Sequence, residues 1–192
     1  VESARDAFTN YLKTYPNGIF AIKAHYYRGE CNFRLKKYGE AKEDYNVILE
    51  GPWNEFYENS AKHAAAIAFD EKNYALAFDY YQKLAANTND NKVKEGAYMG
   101  VIRSGYNSNK FKEVSLYADS LIAMPGVSEE TANEALYYKA RSIQRFDSTS
   151  DKAIELYTKL SGNKNGDVAA DARFRVAEIL YNQGKLKEAE DA

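Results

Sequence analysis

Two histidines and one cysteine are the only imidazole and thiol groups in this 192-residue chain. His25 adjoins Tyr26 and Tyr27, and His63 precedes a run of alanines. Neither has a second His or Cys four residues along, the spacing that sets two ligands on one helical face, so both read as packed or solvent-edge side chains. Cys31 acts as a nucleophile only with a base in hydrogen-bond reach and a depressed pKa. His25 stands on a different face of the same helix, so Cys31 reads as a buried small hydrophobe, with Ser142 in the matching place of a later copy. "NTNDNKVKE" (87–95) alternates oxygen-bearing side chains in the manner of a calcium loop. Lys92 occupies the place of the sharp-turn glycine and no closing carboxylate follows, which leaves a polar turn with Asn91 as N-cap. "GNKNGD" (162–167) follows a helix without phosphate-loop spacing and reads as a turn. The paired carboxylates Glu40/Glu43 and Glu188/Glu190 fall on outer helix faces, where solvated charge stabilises little. These residues point to no catalytic site, no metal and no cofactor. The chain reads as a non-enzyme.

The elements that would position any site recur. "KKYGEAKEDYNVIL" (36–49) has counterparts beginning at Lys72, Asn109, Thr149 and Gly184. With Ala41 as anchor, equivalent residues are Ala4, Ala77, Val114, Ala153 and Ala189, spaced by 37, 36, 37, 39 and 36 residues. Four residues on stand Phe8, Tyr45, Tyr81, Ala118 and Tyr157; three further stand Tyr11, Ile48, Leu84, Leu121 and Leu160. Those offsets lie on one helical face. A second helix lies upstream of each anchor. It is marked by Ala24, Ser60, Ala97, Ala135 and Ala172, then by Gly29, Ala65, Ile102, Ala140 and Ala177. It closes on Phe33, Phe69, Tyr106 and Tyr181, with Gln144 as the exception. Small residues let paired helices approach, and aromatics fill the space around them.

Short polar turns separate the helices, Pro16 and Pro52 follow helix ends, Ser150 or Asp151 suits an N-cap, and no stretch alternates as a strand. The expectation is an all-α chain of stacked hairpins. One array would run over 1–192: a lone second helix in 1–16, pairs in 19–51, 54–87, 91–124 and 129–162, and a truncated pair in 167–192. A net charge of −2 with both signs interspersed argues against a broad nucleic-acid footprint. No apolar run reaches the roughly 18 residues of a membrane span. The opening "VESARDAF" lacks Met and already reads as helix, so the chain is expected to be a fragment of something longer.

The small–aromatic–small marks resemble the tetratricopeptide repeat, whose fold is a right-handed superhelix of helix–turn–helix units. The resemblance rests on Gly29, Tyr38, Ala41 and Tyr45, on Ala65, Tyr74, Ala77 and Tyr81, and on Ala177, Gly184, Leu186 and Ala189. Ala153 and Tyr157 mark the copy between. The tryptophan common early in the first helix is absent; Trp53 lies in a loop. The stretch 8–41, with its aromatic-rich run and Tyr15–Pro16, is similar to repeats of bacterial envelope proteins. These include periplasmic accessory proteins of the Tol–Pal system and lipoproteins of outer-membrane assembly. The resemblance implies a periplasmic or outer-membrane-associated scaffold, with the cytoplasm left open.

It also implies a concave groove lined by the first helix of each pair, which holds a protein or peptide. Here the lining would be Tyr26, Glu30, Phe33 and Arg34; Lys62, Phe69 and Asp70; Met99, Arg103, Tyr106 and Asn107; and Tyr137, Arg141 and Arg145. Arg103, Arg141 and Arg145 are expected to pair with carboxylates of a partner. Two alternatives stand beside this scaffold: a spacer or self-association region, and a helical appendage of an enzyme whose catalytic domain lies elsewhere.

Overall fold

The computed structural model describes residues 1–162 and 166–192; the middle of "GNKNGD" lies outside the described residues. Among the described residues the chain is all-α, with eleven helices and no strand. It forms two compact units, Val1–Lys94 and Glu95–Ala192. The sequence suggested a single array; the division falls just inside the sixth helix, after the polar run "NTNDNK".

The first unit holds α1 (Glu2–Thr14), α2 (Ala21–Arg34), α3 (Tyr38–Glu50), α4 (Tyr57–Asp70) and α5 (Tyr74–Asn87), each packed on the next. α6 (Asn91–Asn107) lies almost wholly in the second unit. There follow α7 (Phe111–Ile122), α8 (Glu129–Phe146), α9 (Asp151–Ser161), α10 (Asp167–Asn182) and α11 (Leu186–Asp191). From α7 to α11 each helix packs on its successor. The hairpins are therefore α2–α3, α4–α5, α6–α7, α8–α9 and α10–α11.

The anchors explain the packing. Ala41, Ala65, Ala77, Ala153, Tyr45 and Tyr157 are all fully buried. At Gly29 an added Cβ would meet Tyr45 Cε1 at 2.9 Å and Asp44 Cβ at 3.2 Å, so α2 and α3 touch where the chain has no side chain. Ala177 and Ala189 are only half-buried. Tyr81 is also half-buried, and its neighbour Tyr80 takes the buried place on α5. In the second unit Ile102, Val114, Ala118, Leu121 and Ala135 form one apolar cluster; Ala140, Leu156, Leu160, Ala172 and Ile179 belong to the next. Each large buried side chain contributes about 1.5–3 kcal/mol relative to exposure, before entropy is set against it.

The hairpin turns share one backbone device. Lys36, Lys72, Asn109 and Gly184 have φ of 59°, 59°, 62° and 77°, and each stands five residues before its anchor. In the first turn Lys36 N–H bonds to Phe33 O and Lys37 N–H to Asn32 O, and the same pair of bonds recurs in the other three turns. This reverse-turn closure satisfies the last helical carbonyls, at a cost of roughly 1–2 kcal/mol where the left-handed residue carries a Cβ. Only Gly184 avoids that cost. The α8–α9 turn departs from the pattern: Asp147 Oδ1 instead accepts from the backbone N–H of Thr149 at 2.9 Å.

Two capping assignments change. The α6 start is capped by Asp90, whose Oδ1 accepts from Lys92 N at 2.7 Å and Val93 N at 3.0 Å; Asn91 is already helical. Ser150 is the N-cap residue of α9 but makes no side-chain capping bond. Cys31 is partly rather than fully buried.

Candidate functional site

Within each unit, first helices of neighbouring hairpins are joined side by side by polar and aromatic rungs. In the first unit Tyr26 stacks on Phe56 with centroids 4.5 Å apart, and its Oη accepts weakly from Asn59 at 3.5 Å. One turn further, Glu30 Oε1 lies 2.9 Å from His63 Nδ1 and accepts from Tyr45 Oη at 2.8 Å. Phe33 then lies flat on the His63 ring, 4.6 Å between centroids. Phe69 packs on Tyr74 across its own turn.

In the second unit Arg103 donates twice to Glu134, both bonds at 2.7 Å. Tyr106 packs edge-on against Tyr138. Tyr137 donates to Asp171, and Gln144 donates to Glu178 at 2.8 Å. Arg141 is held between the rings of Tyr106 and Tyr137, 5.0 and 5.7 Å from their centroids. Several rungs join residues 33 or 34 apart, about one turn less than the repeat. A helix thus touches the residue one turn before its own counterpart on the next.

The residues expected to line a groove divide accordingly. Tyr26, Glu30, Phe33, Arg103, Tyr106, Tyr137 and Arg141 are rung residues, engaged with neighbouring first helices. Asn107 donates to the carbonyl of Arg103 on its own helix at 2.8 Å. Met99 does not line a surface: it is 7% exposed, drawn into the cluster with Ile102 and Val114 because a flexible apolar side chain gains more there. Arg34, Lys62, Asp70 and Arg145 are exposed and, among the described residues, form no side-chain hydrogen bond or ion pair. Of the three arginines expected to reach a partner, two are thus occupied internally.

Both histidines sit beside carboxylates, a feature missed in the sequence. His25 Nδ1 is 2.8 Å from Asp44 Oδ1, and Arg28 donates to both oxygens of that carboxylate. Asp44 is 1% exposed on its side chain, a charge that is tolerable only because it is paired. Burial pushes the Glu30 carboxyl up, but the hydrogen bonds from His63 and Tyr45 outweigh it and hold Glu30 below its ordinary 4.5. Burial, then the bond to Glu30, pushes the Tyr45 phenol far above its ordinary 10. The available signal was the separation of Glu30 and His63, one rung apart. Among the described residues no group of three His, Cys, Asp or Glu side chains is placed to hold a metal ion.

Among the described residues the first-helix face has an open place. Between the starts of α8 and α10 lies a cleft of about 900 Å³, lined by Glu129, Glu130, Glu134, Tyr137, Tyr138, Asp167 and Val168, among others. A change of side-chain size accompanies it. Val168 stands four residues before Ala172, as Phe56 stands four before Ser60. Phe56 fills the space against Tyr26, whereas Val168 and Tyr137 both line the cleft. The carboxylates at the helix starts are favoured by the backbone N–H groups exposed there.

Residues 149–192, which hold α9, α10 and α11, match the family model of the tetratricopeptide repeat. No curated protein matches the chain. No described helix is long and apolar enough to cross a membrane. Tetratricopeptide character is thus matched in the last hairpin, and the hairpins before it repeat the same architecture of small anchors, aromatic fillers and stacked first helices.

Proposed function

We propose that the chain is a non-enzymatic scaffold that holds a segment of a protein or peptide on its first-helix face, in the cleft between α8 and α10. The observation that carries this reading is the cleft itself: rings and carboxylates converge on an open volume among the described residues. Tetratricopeptide repeats generally serve protein–protein interaction, which supports the class of partner. Charge complementarity favours a segment bearing Lys or Arg, since the described lining includes Glu129, Glu130 and Asp167 and no basic residue. This reverses the polarity expected from Arg103, Arg141 and Arg145. The similarity of 8–41 to bacterial envelope repeats further supports a place in a larger extracytoplasmic protein, which fractionation of the producing cells tests directly.

The binding test is a titration of labelled peptides, one Lys- and Arg-rich, one Asp- and Glu-rich, against the wild type and Glu129→Lys/Glu130→Lys. Both substituted residues are exposed. The basic peptide is expected to bind, and the double variant to weaken it about ten-fold or more while helicity is retained. Preference for the acidic peptide, or equal binding by the variant, overturns the assignment of the cleft.

A further inference from the structure

The cleft between α8 and α10 changes character along α8. Glu130, Glu134 and Tyr138 follow one another at intervals of four residues, so they form one stripe on the helix. At the start of that stripe Glu129 and Glu130 are exposed, as is Asp167 on α10. Among the described residues these three carboxylates form no side-chain hydrogen bond or ion pair.

One turn on, Glu134 is already held by Arg103 through two bonds of 2.7 Å. Beyond it the lining turns to the rings of Tyr137 and Tyr138, with Leu160 and Val168 also on the cleft. The cation at this end is the protein's own. Arg141 lies 5.7 Å from the Tyr137 centroid, and among the described residues no carboxylate pairs with it. A second cation brought against Tyr137 would meet that guanidinium beside apolar side chains, where like charges repel more strongly than in water. An apolar side chain meets no such repulsion and gains by leaving water. The start of the stripe favours a positive charge, and the ring end favours an apolar group.

The distance between the two ends sets a spacing. Glu130 and Tyr137 are seven residues apart on the helix, a rise of about 10 Å. An extended chain covers that length in roughly three residues, at about 3.3 Å each.

Taking the cleft as the peptide site proposed above, we infer that its occupant is an extended segment with a Lys or Arg roughly three positions from a large apolar residue. The basic side chain faces Glu129, Glu130 and Asp167, and the apolar one lies against Tyr137 and Val168. A segment that is basic throughout sets a second positive charge beside Arg141 and binds less well. Charge alone therefore does not select the partner.

Labelled peptides of equal length in a Gly/Ser background test this by fluorescence anisotropy. One carries Lys and Phe three positions apart and another carries them adjacent. In two more, the Phe of the spaced peptide is replaced by Ser or by Lys. The spaced peptide is expected to bind about ten-fold more tightly than each of the others. Glu130→Gln is expected to weaken all of them, and Val168→Ser only those that carry Phe. Both substitutions fall at exposed positions, and circular dichroism checks that helicity is retained. Equal affinity for the spaced peptide and the adjacent, Ser or Lys peptide overturns the inference and leaves the basic-peptide reading standing. An equal loss for the Ser peptide in Val168→Ser does the same. Absence of binding by every peptide overturns that reading and the inference with it.

Discussion

The α2–α4 contact and the α8–α10 contact are built to the same plan and end differently. Both set a tyrosine of the earlier helix, Tyr26 or Tyr137, against a polar residue of the later one, Asn59 or Asp171. Both carry a second rung one or two turns on, Glu30 with His63 or Gln144 with Glu178. The first contact is then closed by Phe56, while the second has Val168 and stays open. The difference teaches that one repeat pattern can build steps that are closed by a ring and a step that, in the proposed reading, is left to hold a ligand.

The comparison can be broken first at the hairpin itself. Gly29 in α2 corresponds to Ala140 in α8, which is fully buried without harm to its packing. Gly29→Ala is expected to destabilise the first unit by about 1–3 kcal/mol, because the new Cβ meets Tyr45 at 2.9 Å and Asp44 at 3.2 Å. Urea unfolding followed by circular dichroism measures it, and a neutral result would mean that α2 and α3 can separate freely. Next, Phe56→Val imposes the open arrangement on the first unit. The loss of ring contacts is expected to cost about 1–3 kcal/mol and to raise amide exchange at the starts of α2 and α4.

A smaller effect is read by pH in the first unit. Glu30 is held below 4.5 in the folded chain, so the native state binds its proton more weakly than the unfolded state does. The stability it contributes is present above pH 4.5 and is lost as pH falls through its folded value. Exchange protection in α2 and α4 should therefore fall with acidification, and Glu30→Gln should flatten that dependence. In the Arg141 stack of the second unit the guanidinium stays charged, and the Tyr137 phenol beneath it is raised above its ordinary 10 by burial and by its bond to Asp171. Smallest of all is the turn: Lys72→Gly removes a Cβ from a φ of 59° and is expected to stabilise by about 1 kcal/mol, whereas Gly184→Ala in the other unit should destabilise by a similar amount. Thermal unfolding of both variants checks the pair of signs.

Much of this architecture is legible in the residues alone. Small anchors such as Ala41 and Ala77 let paired helices approach closely, so their recurrence marks the hairpins directly. The rungs are a different matter. Arg103, Tyr137 and Arg141 look like a binding face because their types favour contact with partners, and only the one-turn offset between neighbouring helices reveals that they contact each other. The same offset hides the Glu30–His63 pair and the correspondence of Phe56 with Val168. Periodicity tells which face a residue occupies, but the offset between helices decides what it meets there.

The most direct measurement is the titration of the basic peptide against Val168→Phe. A phenylalanine there should stack on Tyr137 as Phe56 does on Tyr26, fill the cleft, raise stability slightly and abolish peptide binding. Undiminished binding by a folded Val168→Phe variant would contradict the account, because the cleft would then not be where the ligand sits.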